Sequence, residues 1–309
     1  MVARDVRIGR RVALPRGMTF TKILCPTDFS PGAERALQLA ARLAGDTGAE
    51  LVIAHAWYIP AAAYAVEAPF LPNVTQQMVD DAQRGLDAAV RDATAAGAKY
   101  VTGKLLNGVP WAEIVGQLEH QAFDLCVIGT HGRTGLARIL LGSVAEKVVR
   151  HAPCSALAVR PDGEVKPFAH VLVPSDFSAS ADHAFELAAR LVQPQGAITL
   201  LHVIEVPVAY SGEITDADFA RDLDSRAAAA LDQAATKLRT MTPVRVTTRS
   251  RIGYPGMQTL AALDADRTID LVVMGSHGRT GIKRALLGSV AEKVVRHARC
   301  PVLVARKRA

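Results

Sequence analysis

"GTHGRTGLARILLGSVAEKVVRHA" fills residues 129–152, and "GSHGRTGIKRALLGSVAEKVVRHA" fills residues 275–298. The two stretches align without a gap and differ at only four of 24 positions. Each runs from the end of an apolar strand, through a glycine-rich loop, into eight residues with helical spacing. The loops recur at an offset of 146 residues. A period that long means a duplicated domain rather than a solenoid of short units.

Other segments repeat at nearly the same offset. "PTDFS" at 26–30 answers "PSDFS" at 174–178, "LVIAHA" at 51–56 answers "ITLLHV" at 198–203, and "NGVP" at 107–110 answers "IGYP" at 252–255. In the first copy, strands are expected at 22–26, 51–56, 100–105, 125–129 and 155–160. Helices are expected at 33–44, 74–96, 111–120 and 144–151. The second copy gives strands at 169–174, 198–203, 244–250, 271–275 and 302–306. The first, second and fourth strands of each copy are nearly unbroken apolar runs, as in parallel sheets covered on both faces. Strands alternating with helices predict two tandem doubly wound α/β domains. The polar "PDGEVKP" at 161–167 reads as the linker between domains at 18–160 and 168–309.

The formal charge is +6, but +4 of it lies in residues 1–17 and +3 in Arg306, Lys307 and Arg308, leaving −1 for residues 18–305. A nucleic-acid binder spreads its basic charge over a folded face; a surplus confined to two tails gives no such face. Residues 1–17 show neither a strand nor a helix period. They are expected to be a dispensable arm, disordered or lying upstream of a start at Met18. No apolar run reaches the ~20 residues of a membrane span, and the opening residues lack the apolar stretch of a leader. The expectation is a soluble, cytoplasmic chain. Cys25, Cys126, Cys154 and Cys300 are far apart, with no CxxC pair, so neither a disulfide framework nor a zinc site is expected. Cys126 reads as strand filling and Cys25 as lying near a strand end.

In a doubly wound sheet, ligands bind beyond the C-terminal strand ends, where the strand order reverses. One loop there holds Pro26, Thr27 and Asp28, or Pro174, Ser175 and Asp176 in the second copy. The other begins at Gly129 or Gly275. Glycines let its backbone turn tightly and approach a ligand. Ser143 with Glu146, and Ser289 with Glu292, read as capping boxes that open a helix. A helix start favours an anion, and Arg133, Arg138, Arg279 and Arg284 could add charge. The pattern is neither a Walker loop nor a GxGxxG fingerprint, and a Ser-x-x-Glu box alone marks only a helix start. His55 and His202 read as buried, hydrogen-bonded residues. Segments 57–72 and 207–217 differ between the copies, as lids, partner surfaces or ordinary exposed loops.

The spacing Gly129-x2-Gly132-x9-Gly142-Ser143, repeated as Gly275-x2-Gly278-x9-Gly288-Ser289, resembles the ATP-binding pattern of the universal stress protein family. "DLCVIGTHGRTG", "DLVVMGSHGRTG" and the Pro-x-Asp loops fit as well, so the resemblance covers nearly the whole chain after Met18. It implies that Asp28 and Asp176 meet adenosine, flanked by Pro26, Thr27, Pro174 and Ser175. It implies that the backbone of Ala56 and Val203 contacts adenine. It assigns Gly129, His131, Gly132, Gly142, Ser143 and Val144 to the phosphate and ribose cradle, with Gly275, His277, Gly278, Gly288, Ser289 and Val290 in the second copy. Arg133 and Arg279 join them as candidate phosphate contacts. The resulting expectation is an ATP-binding regulator, with Mg2+ accompanying the ATP and the two halves related by a pseudo-twofold. A homodimer is expected, and a protein partner is left open. A slow ATPase and an ATP-independent scaffold are the rivals, and no residue stands out as a catalytic base. The first copy departs from the family ending of the last strand, reading Pro153-Cys154-Ser155-Ala156 against Arg299-Cys300-Pro301-Val302 in the second.

Overall fold

The computed structural model describes residues 6–8, 20–59, 71–130, 141–162, 164–205, 217–278 and 287–308, with backbone alone for 6–8, 71–74 and 217–224. It divides into two compact units, Met1–Val165 with Arg308–Ala309, and Lys166–Lys307.

The first unit contains β1 (Val6–Ile8), β2 (Lys22–Pro26), α1 (Pro31–Thr47), β3 (Glu50–Trp57), α2 (Leu71–Ala95), β4 (Tyr100–Asn107), α3 (Pro110–His120), β5 (Leu125–Gly129), α4 (Ser143–His151) and β6 (Ser155–Val159). Its strand order is β1-β4-β3-β2-β5-β6. All of these pairs are parallel except β1 with β4. Ile23, Leu24, Leu51, Ile53, Leu125, Val127 and Leu157 are fully or almost fully buried. Consecutive residues can be buried because helices cover both faces of the sheet. On α1 the buried row is Ala36, Ala40 and Ala44 with Leu37 and Leu43. This i, i+3, i+4 stripe places small side chains against the strands. Ser30 caps the start of α1, its hydroxyl accepting the Ala33 amide at 3.3 Å, with Pro31 in the first turn. Gly48 ends the helix in the left-handed region, at φ 71°.

The second unit contains β7 (Phe168–Pro174), α5 (Ala179–Leu191), β8 (Val192–Ile204), α6 (Ala217–Met241), β9 (Arg245–Ile252), α7 (Pro255–Ala265), β10 (Leu271–Gly275), α8 (Ser289–His297) and β11 (Val302–Ala305). The order is β9-β8-β7-β10-β11, parallel throughout. In each unit one aspartate fixes the N-terminal edge of the switch point. Asp124 accepts the amides of Thr21 and Lys22 at 2.7 and 2.9 Å, and Asp270 accepts those of Ala169 and His170 at 2.8 and 3.0 Å.

Two elements differ from expectation. Within the arm read as structureless, Val6–Ile8 pairs antiparallel with β4, Val6 opposite Gly103. An edge strand offers unpaired backbone groups to any extended segment, so this pairing needs no side-chain period to announce it. Strand β8 starts six residues before the expected position. Its pairing with β7 shifts register between Phe168 and His170. Gly196 lies in this irregular stretch, where a Cβ would sit 2.6 Å from the Ala169 carbonyl oxygen. A polar Gln-Pro-Gln-Gly run hides such a bulged extension from an apolar-run reading. Among the described residues, no helix is long and apolar enough to cross a membrane.

Candidate functional site

In both units the strand order reverses between two central neighbours, β2 and β5 or β7 and β10. Crossovers leave on opposite faces from these strands, so their C-terminal ends open a crevice.

The loop after β7 is held by its own side chains. The Ser175 hydroxyl accepts the Phe177 amide at 3.1 Å, and Asp176 Oδ1 accepts the Ser178 amide at 3.1 Å. Phe177 sits at φ 62°, a left-handed conformation that bulky residues avoid. Strain of this kind persists only where surroundings over-determine it. Here the His202 ring packs against Phe177 at 4.4 Å, and its Nδ1 hydrogen-bonds the Ser175 carbonyl at 2.8 Å. The first unit repeats the device. Phe29 lies at φ 61°, His55 stacks on it at 4.4 Å, and His55 Nδ1 meets the Thr27 carbonyl at 2.8 Å. Asp28 Oδ1 accepts both the amide and the hydroxyl of Ser30. Helix α2 leaves room for the Phe29 ring at Gly85, where a Cβ would lie 2.9 Å from the ring.

The second loop is closed at its neck. The Gly288 amide donates to the Ser276 carbonyl at 2.9 Å, as the Gly142 amide donates to Thr130 at 2.7 Å. Ser180, in the first turn of α5, donates its hydroxyl to the His277 carbonyl. In the second unit the two loops then meet: a Cβ at Gly278 would lie 2.9 Å from Asp176 Oδ2.

Between the loops lies a cavity of about 750 Å³. Pro174, Ser175 and Asp176 line it from β7, and Val203 from the end of β8. Gly275, His277 and Gly278 line it from the β10 loop, and Gly288, Ser289 and Val290 from the start of α8. The first amides of α8 have no carbonyl partner within the helix, and the dipole adds partial positive charge there. One end of the cavity therefore suits an anion, while a carboxylate and a strand end stand along the rest. Among the described residues, no His, Cys, Asp or Glu cluster could hold a metal ion by protein ligands alone.

The family model for universal stress proteins matches residues 19–160 and again 167–306. The chain belongs to the universal stress protein family. A universal stress protein of Methanocaldococcus jannaschii is 36% identical over 144 residues, 46% of this chain and 82% of the relative. One from Mycobacterium tuberculosis is 31% identical over 221 residues, 70% of this chain and 73% of its own. Among solved structures, a universal stress protein from Archaeoglobus fulgidus matches with a TM-score of 0.66 at 23% identity, covering 92% of this chain and 98% of its own. That likeness shows a shared fold.

Within this universal stress protein, ten of the eleven residues expected in the second site line the one cavity; Arg279 lies outside the described residues. In the first unit, Pro26, Thr27, Asp28, Ala56, Gly129, Gly142, Ser143 and Val144 occupy the matching strand ends and helix start. His131, Gly132 and Arg133 fall outside the described residues, as do 60–70 and 207–216 of the two divergent segments.

The capping-box expectation is corrected in both units. The N-caps are Gly142 and Gly288, at ψ 142° and 149°, with no side-chain cap bond. Ser143 and Ser289 are already the first helical residues. Glu146 and Glu292 therefore start one position too deep to reach back, and pair instead with Arg150 and Arg296 at 3.3 Å, one turn on. The role of two glycines is also sharpened. A Cβ on Gly129 would lie 2.7 Å from the Gly32 carbonyl oxygen, and one on Gly275 would lie 2.6 Å from Ser180 Oγ. Both glycines admit the first long helix of their unit, α1 or α5, to the strand end, a packing requirement independent of any ligand.

Proposed function

We propose that the second unit's cavity binds ATP, that the first unit's loops form an equivalent site, and that nucleotide occupancy makes the chain a regulator in the stress response. The observation that carries this reading is the convergence of Asp176, Val203, Gly278 and the α8 start on one cavity at the switch point. A volume near 750 Å³ falls in the range of small-molecule and cofactor sites. In this reading the free amides of Ser289 and Val290 take phosphate oxygens, and Asp176 accepts from adenosine hydroxyls. Val203 offers backbone groups to the base, and Mg2+ arrives with the triphosphate. Asp28, Ala56, Ser143 and Val144 take these roles in the first unit. His131, Gly132 and Arg133, with His277, Gly278 and Arg279, complete the phosphate side of the two sites. The working form in this reading is a cytoplasmic homodimer whose association with a partner responds to ATP.

Equilibrium dialysis against ATP tests the assignment. Two ATP bound per chain are expected at saturation. Gly278→Trp, which fills the space against Asp176, should reduce this to one. An unchanged stoichiometry in that variant would contradict the site.

A further inference from the structure

The cavity of the second unit has two charged walls that lie outside the expected loops. Glu205, just after β8, and Arg226, on α6, both line it. Their counterparts in the first unit follow from register. Pro26 pairs with Ala54 and Pro174 with Leu201, so Tyr58 and Glu205 each lie four residues beyond matching positions. On α2 the buried row is Ala82, Leu86 and Ala89; on α6 it is Ala227, Leu231 and Ala234. Aligning these rows sets Asp81 opposite Arg226. The first unit thus holds a half-exposed phenol and a carboxylate where the second holds a carboxylate and a guanidinium. Asp81 is ion-paired with Arg84 on the helix surface. Arg84 corresponds to Ala229 in the second unit.

We propose that the two sites differ in charge selectivity: Arg226 makes the second site favour the more highly charged nucleotide, ATP over AMP, and the first site lacks that preference. This rests on the nucleotide reading of the cavity. The phosphates belong at the α8 start, where the first amides have no carbonyl partner within the helix. Glu205 stands at the strand end that carries Val203, and accepts hydrogen bonds from donors on the base or ribose. Arginine carries its charge on a long arm, and its planar fork matches phosphate oxygens. The carboxylate and the guanidinium therefore orient a ligand with its nucleoside toward β8 and its negative charge within reach of Arg226. At the positions of Glu205 and Arg226 the first unit has Tyr58 and Asp81, neither of them a cation. The sites thus share a scaffold yet answer to different ratios of ATP to AMP. A chain so built registers adenylate charge as two separate occupancies.

The test uses the full chain with one site blocked. Gly132 holds the sequence position that matches Gly278, so Gly132→Trp is the variant chosen to block the first site, and calorimetric titrations with ATP and AMP then report on the second. Arg226→Ala should weaken ATP more than AMP by about fivefold, the scale of one charge acting on two further phosphate charges across a wet cleft. Arg226→Lys should retain most of the preference, and high salt should shrink it. In a Gly278→Trp chain, Asp81→Arg should raise the ATP-to-AMP preference of the first site by a similar factor. If Arg226→Ala weakens both ligands equally, or neither, the selectivity proposal is overturned while ATP binding stands. If neither nucleotide binds any of these chains, the nucleotide reading itself falls and takes the proposal with it.

Discussion

Helices α4 and α8 carry the same nine residues, SVAEKVVRH, and fold alike down to their glycine N-caps and their Glu–Arg pairs at 3.3 Å. Helices α2 and α6 share a length of 25 residues and a matching buried row, but not the residues that look out of it. The contrast separates two tasks. A helix start facing an anion is set by backbone geometry, and geometry of that kind tolerates little change. A cavity wall made of side chains can be rewritten while the packing row beneath it stays. The duplicated chain therefore retains its frame and varies its outer wall.

The largest expected effect compares the two frame glycines. A Cβ at Gly129 meets backbone alone, whereas at Gly275 the nearest atom is the Ser180 hydroxyl, which can turn only by giving up its bond to the His277 carbonyl, with the Ser180 backbone 3.1 Å away. Gly129→Ala should cost about 3 kcal/mol and Gly275→Ala about half that, read from the denaturant transition of the affected unit. Equal costs would break the distinction. The histidines that hold the first loops come next. His55 is 8% exposed, and its loss leaves the Thr27 carbonyl without its donor. His55→Ala should cost about 2 kcal/mol, and His202→Ala, at a more open position, about 1 kcal/mol.

A smaller, pH-dependent difference separates the units. His170 stands at the start of β7, where the first unit has Lys22. Burial lowers its pKa from the ordinary 6.5, against the opposing pull of Asp266 and Asp270 and with the help of Arg249 and Arg245. Thr268 and Thr199 hold its two ring nitrogens at 2.8 Å each. The folded state thus favours the neutral ring, and the unfolded state takes up the proton first. Stability from this site is present above pH 6.5 and is lost as pH falls from there through the lowered folded value. His170→Gln should flatten that decline in the second unit alone, as measured by denaturation at stepped pH. A decline that persists in the variant would assign it to other groups. The smallest effect concerns the four cysteines, all buried. Burial pushes the Cys25 thiol up to about 12 and raises that of Cys126 well above its usual range. A thiol reagent at pH 8 should leave the native chain unlabelled and label all four after denaturation. Rapid native labelling of either unit would mean that its core opens.

Much of this frame was legible because apolar runs and helical stripes repeat twice. Strands β2, β5 and β10 begin and end where their runs do. The site loops were legible from glycine spacing together with the Pro-x-Asp turns. Other features leave no mark in residue type. Nothing in "TDFS" announces that phenylalanine will occupy the left-handed region, because the surrounding histidine and helix enforce that conformation. The Ser-x-x-Glu pattern suggested a cap, yet a one-residue shift in the helix start passed the role to glycine. The wall residues Glu205 and Arg226 were hidden because one directly follows a strand end and the other lies on a polar helix face. Only three-dimensional register assigns them to the cavity.

The central claim is that the starts of α4 and α8 each hold the phosphates of a bound nucleotide. Amide-resolved NMR of the full chain, titrated with ATP and separately with adenosine, tests it most directly. The account expects ATP to move the Ser143, Val144, Ser289 and Val290 amide signals strongly, and adenosine to leave them nearly still. ATP binding that leaves all four signals in place would contradict it.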